Sequence, residues 1–283
     1  MIDGALPYLR CPVCREPLQR HDRALRCPRG HSFDMAKQGY ADLSAGRLPH
    51  TGDSAEMIAD RADFLAAGHY AFIAEALARA AADLHDQDPI AVRREVRDSE
   101  VILDAGTGTG DYLAHVLGAA PTAVGLGLDV SKPALRRAAR AHPRAAAVLT
   151  DLWRPLPVAD ASATVILNVF APRNGPEFAR VLRPRGRLLV VTPAAEHLAE
   201  LVAAHGLIQV DPDKAARVGE TLDEHFRPVG TTTLRHEMRL TATEVRTLIG
   251  MTPSARHVTV GDLPARDVTV TAAVVLTAYA KRV

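Results

Sequence analysis

Three cysteines occur in the 283 residues, and all three lie near the N-terminus: Cys11-Pro12-Val13-Cys14, then, after twelve residues, Cys27-Pro28-Arg29-Gly30-His31. Two thiolates on one tight turn, and a thiolate plus an imidazole on another, is the ligand chemistry and spacing of tetrahedral zinc. Four protein ligands, Cys11, Cys14, Cys27 and His31, leave no open coordination position, so the expected site is structural and not catalytic. A segment knitted by metal needs little apolar core of its own. Residues 1–50 therefore read as a small zinc-ribbon-like module, rich in turns, with a short strand near 24–27. Thiolates committed to a metal also point to a reducing compartment, which makes cytoplasmic localisation the expectation.

Net charge is +1, so no global basic field advertises a nucleic-acid partner. Charge is uneven, however. Residues 1–50 carry Arg10, Arg15, Arg20, Arg23, Arg26, Arg29, Arg47 and Lys37 against Asp3, Glu16, Asp22, Asp34 and Asp42, a local excess of three positive charges. That excess suits an RNA-facing patch and equally a solvated surface. The first residues, Met1-Ile2-Asp3-Gly4-Ala5, have neither the basic start nor the apolar stretch of a signal peptide. No apolar run reaches the length of a membrane span, so no membrane partner is expected.

Beyond a linker at 46–52, Ser54 is placed to cap a helix from Ala55, with Glu56 in its first turn. Gly68 and His69 interrupt the helical period, which resumes over 70–84. Residues 51–99 read as a helical linker region whose end, 85–99, is charged and exposed. From residue 100 to 283 apolar strands alternate with helices. Strands are predicted at 101–104, 123–129, 145–149, 163–169 and 187–192, and helices at 112–117, 133–141, 176–182 and 195–204. Nearly unbroken apolar strands joined by helices imply an α/β, Rossmann-like doubly wound sheet. Two β-rich tail segments, 231–240 and 267–279, flank a short helix near 243–250 and can close the sheet as an antiparallel pair.

The first of these strands runs into Asp104-Ala105-Gly106-Thr107-Gly108-Thr109-Gly110. A dinucleotide site places its third glycine where this chain has Asp111, and a carboxylate there repels a pyrophosphate. S-adenosylmethionine has no phosphate and carries a cationic sulfonium, so an acidic lip suits it. Asp129 ends the second strand, where a carboxylate can accept both ribose hydroxyls; a solvent-facing strand end is the plain alternative. Asp151, followed by Leu152, ends the third strand. It can accept from the adenine amino group while Leu152 packs on the ring, or it can simply cap a turn. The turn-then-strand segment 182–189 completes the pattern of a class I S-adenosylmethionine-dependent methyltransferase, with Arg185 where glycine is frequent.

With those motifs in place, the chain resembles the 23S rRNA (guanine-N1-)-methyltransferases, the RlmA family. The resemblance rests on the Cys/His knuckles, on Phe33–Tyr40, Gly52–Met57, Phe64-Leu65, Ala67–Tyr70 and Leu128–Lys132, and on Ala171-Pro172, Thr192-Pro193, His197-Leu198 and Met251–Pro253. Arg136–Ala145 and Leu167–Asn174 are similar to the tylosin-resistance branch. The resemblance implies methylation of guanine N1 in a 23S rRNA hairpin lining the peptide exit tunnel, near where macrolides bind. It also implies that Tyr70, the loop at Gly108-Thr109 and His197 contact S-adenosylmethionine. Read from the residues alone, Tyr70 is equally a core aromatic and His197 a helix-surface histidine.

Guanine N1 lies on the Watson–Crick edge and carries a proton, so the base must be unpaired or flipped out and must lose that proton. Asn168 to Pro172, at the end of the fourth strand, can orient it; Asn168 and Pro172 are the catalytic candidates, and no carboxylate stands out as a base. The ribbon's arginines would hold RNA through phosphate and shape contacts. A homodimer is left open. Two other readings compete: a small-molecule methyltransferase of the same fold, and a non-catalytic zinc-dependent RNA-binding protein.

Overall fold

The computed structural model describes residues 2–48, 52–86, 100–205, 221–252 and 267–282. The N-terminal module begins with a single helical turn, Ile2–Ala5, and contains a three-stranded antiparallel ribbon. Its strands are β1 (Gln19–His21), β2 (Ala24–Arg26) and β3 (Ser32–Asp34). Asp22, in the tight turn joining β1 and β2, has a φ of 52°, a left-handed conformation that Asp tolerates better than most residues.

The remaining strands form one eight-stranded sheet. They are β4 (Ala41–Asp42), β5 (Val101–Ala105), β6 (Val124–Asp129), β7 (Ala145–Leu149), β8 (Ala163–Val169), β9 (Leu182–Pro193), β10 (Phe226–Leu240) and β11 (Val268–Lys281). Their order is β10-β11-β9-β8-β5-β6-β7-β4. β4 to β9 pair in parallel, and β11 runs antiparallel between β9 and β10, so the tail does close the sheet with an antiparallel pair. Alternate residues of the central strands enter opposite cores. Ile102, Val165 and Leu167 face the helices Ala71–Asp86 and Asp111–Ala119, while Leu103, Ile166 and Leu188 face the other way.

That second face explains where the ribbon sits. A parallel sheet must be covered on both sides, and helices in the crossovers normally do this. The connection from β7 to β8, residues 150–162, contains no helix. In its place Ile2, Ala5, Leu9, Leu18 and Leu25 of the N-terminal module share one buried cluster with Leu126, Leu128, Ala146 and Val148. Ala41–Asp42 then joins the same sheet as its edge strand beside β7. Backbone pairing reinforces the contact: Arg10 N–H donates to the Pro157 carbonyl at 2.9 Å and Ala159 N–H to the Tyr8 carbonyl at 2.8 Å.

Two predicted elements differ in detail. The helix expected over 195–204 starts only at Ala199, because residues 195–198 form a turn that ends with Leu198 at φ 57°. The turn expected before the fifth strand is absent. β9 begins at Leu182 and carries a bulge, with Leu182 opposite Ala163 and Arg187 opposite Val165. Of the predicted 85–99 segment, residues 87–99 lie outside the described residues.

Arg15 stitches the ribbon to the segment before β8, and Arg180, on the helix Gly175–Val181, braces that segment from the other side. Arg15 donates to the carbonyls of Leu156 (2.6 Å) and Val158 (2.9 Å), and Arg180 donates to the same two at 3.0 and 2.9 Å. Arg180 also pairs with Glu177 at 2.6 Å and with Asp160 at 2.5 Å. Arg15→Ala leaves both carbonyls with a partner and should cost about 1 kcal/mol, whereas Arg180→Ala also takes the counter-charge from Glu177, which keeps only the Leu156 N–H, and should cost about 3 kcal/mol. Urea denaturation of the two variants measures the order; equal losses would contradict it.

Candidate functional site

β5 pairs with β6 on one side and β8 on the other, so the chain leaves β5 in opposite directions. Such a switch point opens a crevice at the carboxyl ends of the strands. The loop Gly106–Gly110 lines it. Gly106, Gly108 and Gly110 all adopt left-handed φ values of 86°, 54° and 88°. At Gly106 the need is also steric, since a Cβ would stand 2.4 Å from that of Ala171. Thr107 holds the loop to the strand, its hydroxyl donating to Asp104 at 2.8 Å. Thr109 bonds Asp111 at the start of the following helix.

Asp129, at the end of β6, reaches across the crevice mouth. One carboxylate oxygen accepts from the Gly108 N–H and the other from the Ser131 N–H, both at 2.8 Å. Burial nevertheless pushes its pKa up, more than those two N–H groups pull it down. Burial likewise pushes Asp104 up to about 7, Thr107 pulls against it, and the charge of Asp129 adds to the rise. Two buried carboxylates that resist ionisation create a site that favours a cation. A sulfonium with an α-ammonium group meets that demand; a pyrophosphate does not.

The far wall is aromatic. Tyr70, only 4 % exposed, places its hydroxyl 3.4 Å from Nε2 of His197. The Ala273 N–H donates to Nδ1 of His197 at 3.2 Å, so the neutral ring carries its proton on Nε2, facing Tyr70. Burial drives the His197 pKa down to about 4. Phe170 stands beside both, its ring centroid 6.4 Å from Tyr70 and 6.0 Å from His197. Its φ of 53° is left-handed, which costs a non-glycine residue roughly 1 kcal/mol.

Asn168, fully buried, ties the two sides together. Its amide nitrogen donates to the Ala105 carbonyl at 3.1 Å and to the Pro172 carbonyl at 2.9 Å, and its Oδ1 has no partner. The side chain is thus committed to holding the β5 and β8 loops, where the sequence suggested direct contact with a guanine. Pro172 is exposed at the rim. Asp151 is buried and accepts the Trp153 N–H at 3.0 Å, as a turn cap does. The ideal Cβ position of Gly106 lies 3.9 Å from Leu152 Cδ1, which brings Leu152 to the glycine loop.

Sequence reasoning missed Asp53, Arg61 and Phe170. Gly52 packs on the backbone of Ser131, whose hydroxyl donates to the Asp53 carbonyl at 2.9 Å. Arg61 then pairs with Asp53 at 2.6 Å and donates to the Met251 carbonyl at 2.9 Å. A charged pair next to the glycine loop is invisible in the chain because Asp53 precedes that loop by a long interval. The available signal was the Gly52–Met57 segment, which carries part of the family resemblance but from its residues reads only as a linker end and a helix cap.

At the metal-ligand cluster, Sγ of Cys14 and Cys27 are 3.6 Å apart, and Nδ1 of His31 is 3.6 Å from Sγ of Cys11 and 3.3 Å from Sγ of Cys27. A tetrahedron with Zn–S bonds of about 2.3 Å has edges of about 3.8 Å, so the donor set fits zinc.

Residues 9–45 match a family model described as "RlmA, N-terminal", and residues 102–186 match one described as "Methyltransferase domain". A 23S rRNA (guanine(748)-N(1))-methyltransferase of Streptomyces fradiae is 47% identical, covering 91% of this chain and 89% of its own. A Micromonospora griseorubida protein, provisionally named a 23S rRNA (guanine-N(1)-)-methyltransferase, is 58% identical over 97% of both chains. The chain belongs to this family. As a 23S rRNA (guanine-N1-)-methyltransferase family member it is an S-adenosylmethionine-dependent enzyme with an N-terminal zinc ribbon, and both the acidic crevice and the thiolate–imidazole set suit those ligands. Among the described residues no helix is long and apolar enough to cross a membrane.

Two outcomes follow from the geometry. An unfolded histidine takes a proton near pH 6.5, while His197 in the fold takes one only near 4. The unfolded state therefore binds more protons in that window. Its contribution to stability should be complete above about pH 6.5 and decline as pH falls toward 4; urea unfolding of His197→Gln should lack this slope. Mass spectrometry under native conditions should find about one zinc per chain. Cys27→Ser should release the metal and, by baring the sheet face under the ribbon, lower the melting temperature of the whole protein.

Proposed function

We propose that this protein methylates N1 of a guanine in a 23S rRNA hairpin near the macrolide site of the exit tunnel, and so confers tylosin-type resistance in the cytoplasm. The observation that carries this reading is the 47% identity, over 91% of the chain, to the Streptomyces fradiae enzyme named for guanine 748. The division of labour is a ribbon over 1–50 that engages RNA, a helical region over 51–99, and a catalytic domain over 100–283. Arginines such as Arg26 and Arg29 hold phosphates on the ribbon side.

S-adenosylmethionine supplies an electrophilic methyl group on a cationic sulfur. Tyr70, Asp104, Gly106, Gly108, Thr109, Gly110, Asp129, Asp151, Leu152 and His197 form its site. Each Asp129 oxygen already accepts one backbone N–H and retains a lone pair for a ribose hydroxyl. Asp151 and Leu152 serve the adenine. Burial pushes the Asp104 pKa up to about 7 and that of Asp129 above the ordinary carboxylate value, so a cation beside them favours their ionised forms.

In-line attack requires the guanine to be held against the methyl group, and that positioning lowers the barrier more than any acid or base here. His197 is unsuited to take the N1 proton, because Nδ1 is occupied and Nε2 is already protonated. The loop from Asn168 to Pro172 presents carbonyls instead. The Pro172 carbonyl keeps a second lone pair after accepting from Asn168 and can share the proton with water.

Primer extension on 23S rRNA treated with the protein and S-adenosylmethionine tests the reading. N1-methylguanine blocks pairing, so a single new stop is expected, and Asp129→Ala should abolish it. A protein that binds the methyl donor yet produces no stop on rRNA or on intact large subunits would refute the proposal.

A further inference from the structure

Aromatic residues make up only 4% of the chain, and Trp153 is its single tryptophan. Among the described residues four large hydrophobic side chains are exposed: Val13, Trp153, Phe170 and Val229. Both aromatic ones lie at the carboxyl ends of the parallel strands, Trp153 in the turn after β7 and Phe170 in the turn after β8. We propose that these two rings are stacking platforms for unpaired RNA bases, Phe170 for the guanine presented to the methyl donor and Trp153 for a neighbouring nucleotide of the same loop. The proposal rests on the rRNA reading above and adds which residues grip the splayed bases.

Three observations carry it. First, Phe170 is 43% exposed although its backbone is held left-handed at φ 53°, so the fold maintains a strained residue to present a ring at the rim. It stands beside Tyr70 and His197, with Pro172, two residues on, in the same turn. Second, both turns are fixed and joined. Asp151 accepts the Trp153 N–H at 3.0 Å, and Asn174, just past Phe170, donates to the Leu152 carbonyl at 2.8 Å. A rigid platform loses little entropy when a base settles on it. Third, charge lies alongside. Arg154, next to Trp153, pairs with Asp151 at 3.8 Å and donates to the Ser44 and Arg47 carbonyls at 3.5 and 3.2 Å, which sets a guanidinium group between the ribbon's end and the rim. Stacking on aromatic side chains beside guanidinium groups is how proteins hold single-stranded bases without pairing to them.

The lone tryptophan makes the test direct. The full-length protein, saturated with S-adenosylhomocysteine, is titrated with a transcribed RNA hairpin carrying the mapped stop site and with a perfect duplex of equal length. Tryptophan emission should be quenched by the hairpin and not by the duplex. Trp153→Ala should weaken hairpin binding by roughly tenfold or more, and Trp153→Phe should restore most of it. Phe170→Ala should lower kcat by at least about tenfold, the loss of one stacked base in the reacting position. Calorimetry should show the affinity for S-adenosylmethionine unchanged in both Trp153 variants. Wild-type kcat/KM in both alanine variants would overturn the proposal, as would a loss of S-adenosylmethionine affinity in Trp153→Ala, which would make that ring part of the donor pocket. Absence of methylation by the unaltered protein would instead sink the rRNA reading itself, so the two failures are distinguishable.

Discussion

The structure depends on a covering problem solved by a metal. A parallel sheet buries both faces, yet the β7-to-β8 connection supplies no helix to cover its side of β6 and β7. The N-terminal module fills that place, with Leu9, Leu18 and Leu25 against Leu126, Leu128 and Val148. Strands of three residues each do not hold a ribbon together by themselves, so the Cys and His ligands that close it also secure a wall of the catalytic fold. The arginine clamp on the Leu156 and Val158 carbonyls then fixes the ribbon's orientation relative to the crevice. The zinc ribbon and the crevice of the methyltransferase domain are thereby locked into one geometry, without the freedom of a tether.

The crevice follows from backbone requirements more than from reactive side chains. Three left-handed glycines bring the loop against Ala171 and let the Gly108 N–H meet Asp129. Burial then raises the pKa values of Asp104 and Asp129 and makes the crevice favourable to a cation. On the opposite wall, the Ala273 N–H fixes the tautomer of His197, which makes it a donor and removes it from proton abstraction. Positioning and electrostatics carry the chemistry.

Much of this was legible in the chain because the relevant signals are local. The Cys-x2-Cys and Cys-x3-His turns, the glycine loop after a strand and the apolar strands each announce themselves within a few residues. That Tyr70 and His197 belong to one site came only through family resemblance, and their contact with each other is visible only in the structure. What stayed hidden is set by distant partners or by backbone strain. The late start of the helix at Ala199 reflects the left-handed Leu198, which its apolar side chain does not betray. The role of Arg15 depends on carbonyls in a segment more than a hundred positions away, and so read only as one more ribbon charge. Phe170 read as part of an apolar strand end because composition says nothing about φ. Asn168 was noticed, but burial turned it from a hand reaching toward substrate into a brace.

That brace has a consequence for cooperativity. One carboxamide grips Ala105, at the root of the glycine loop, and Pro172, on the exposed turn after β8. Any shift in one carbonyl strains the bond to the other, so movement of the glycine loop is felt at the turn after β8. Thermodynamic reciprocity then requires that whatever the donor does to nucleic-acid affinity, the nucleic acid does equally to donor affinity. A ligand that displaces either turn should therefore change the affinity of the other turn for its own ligand.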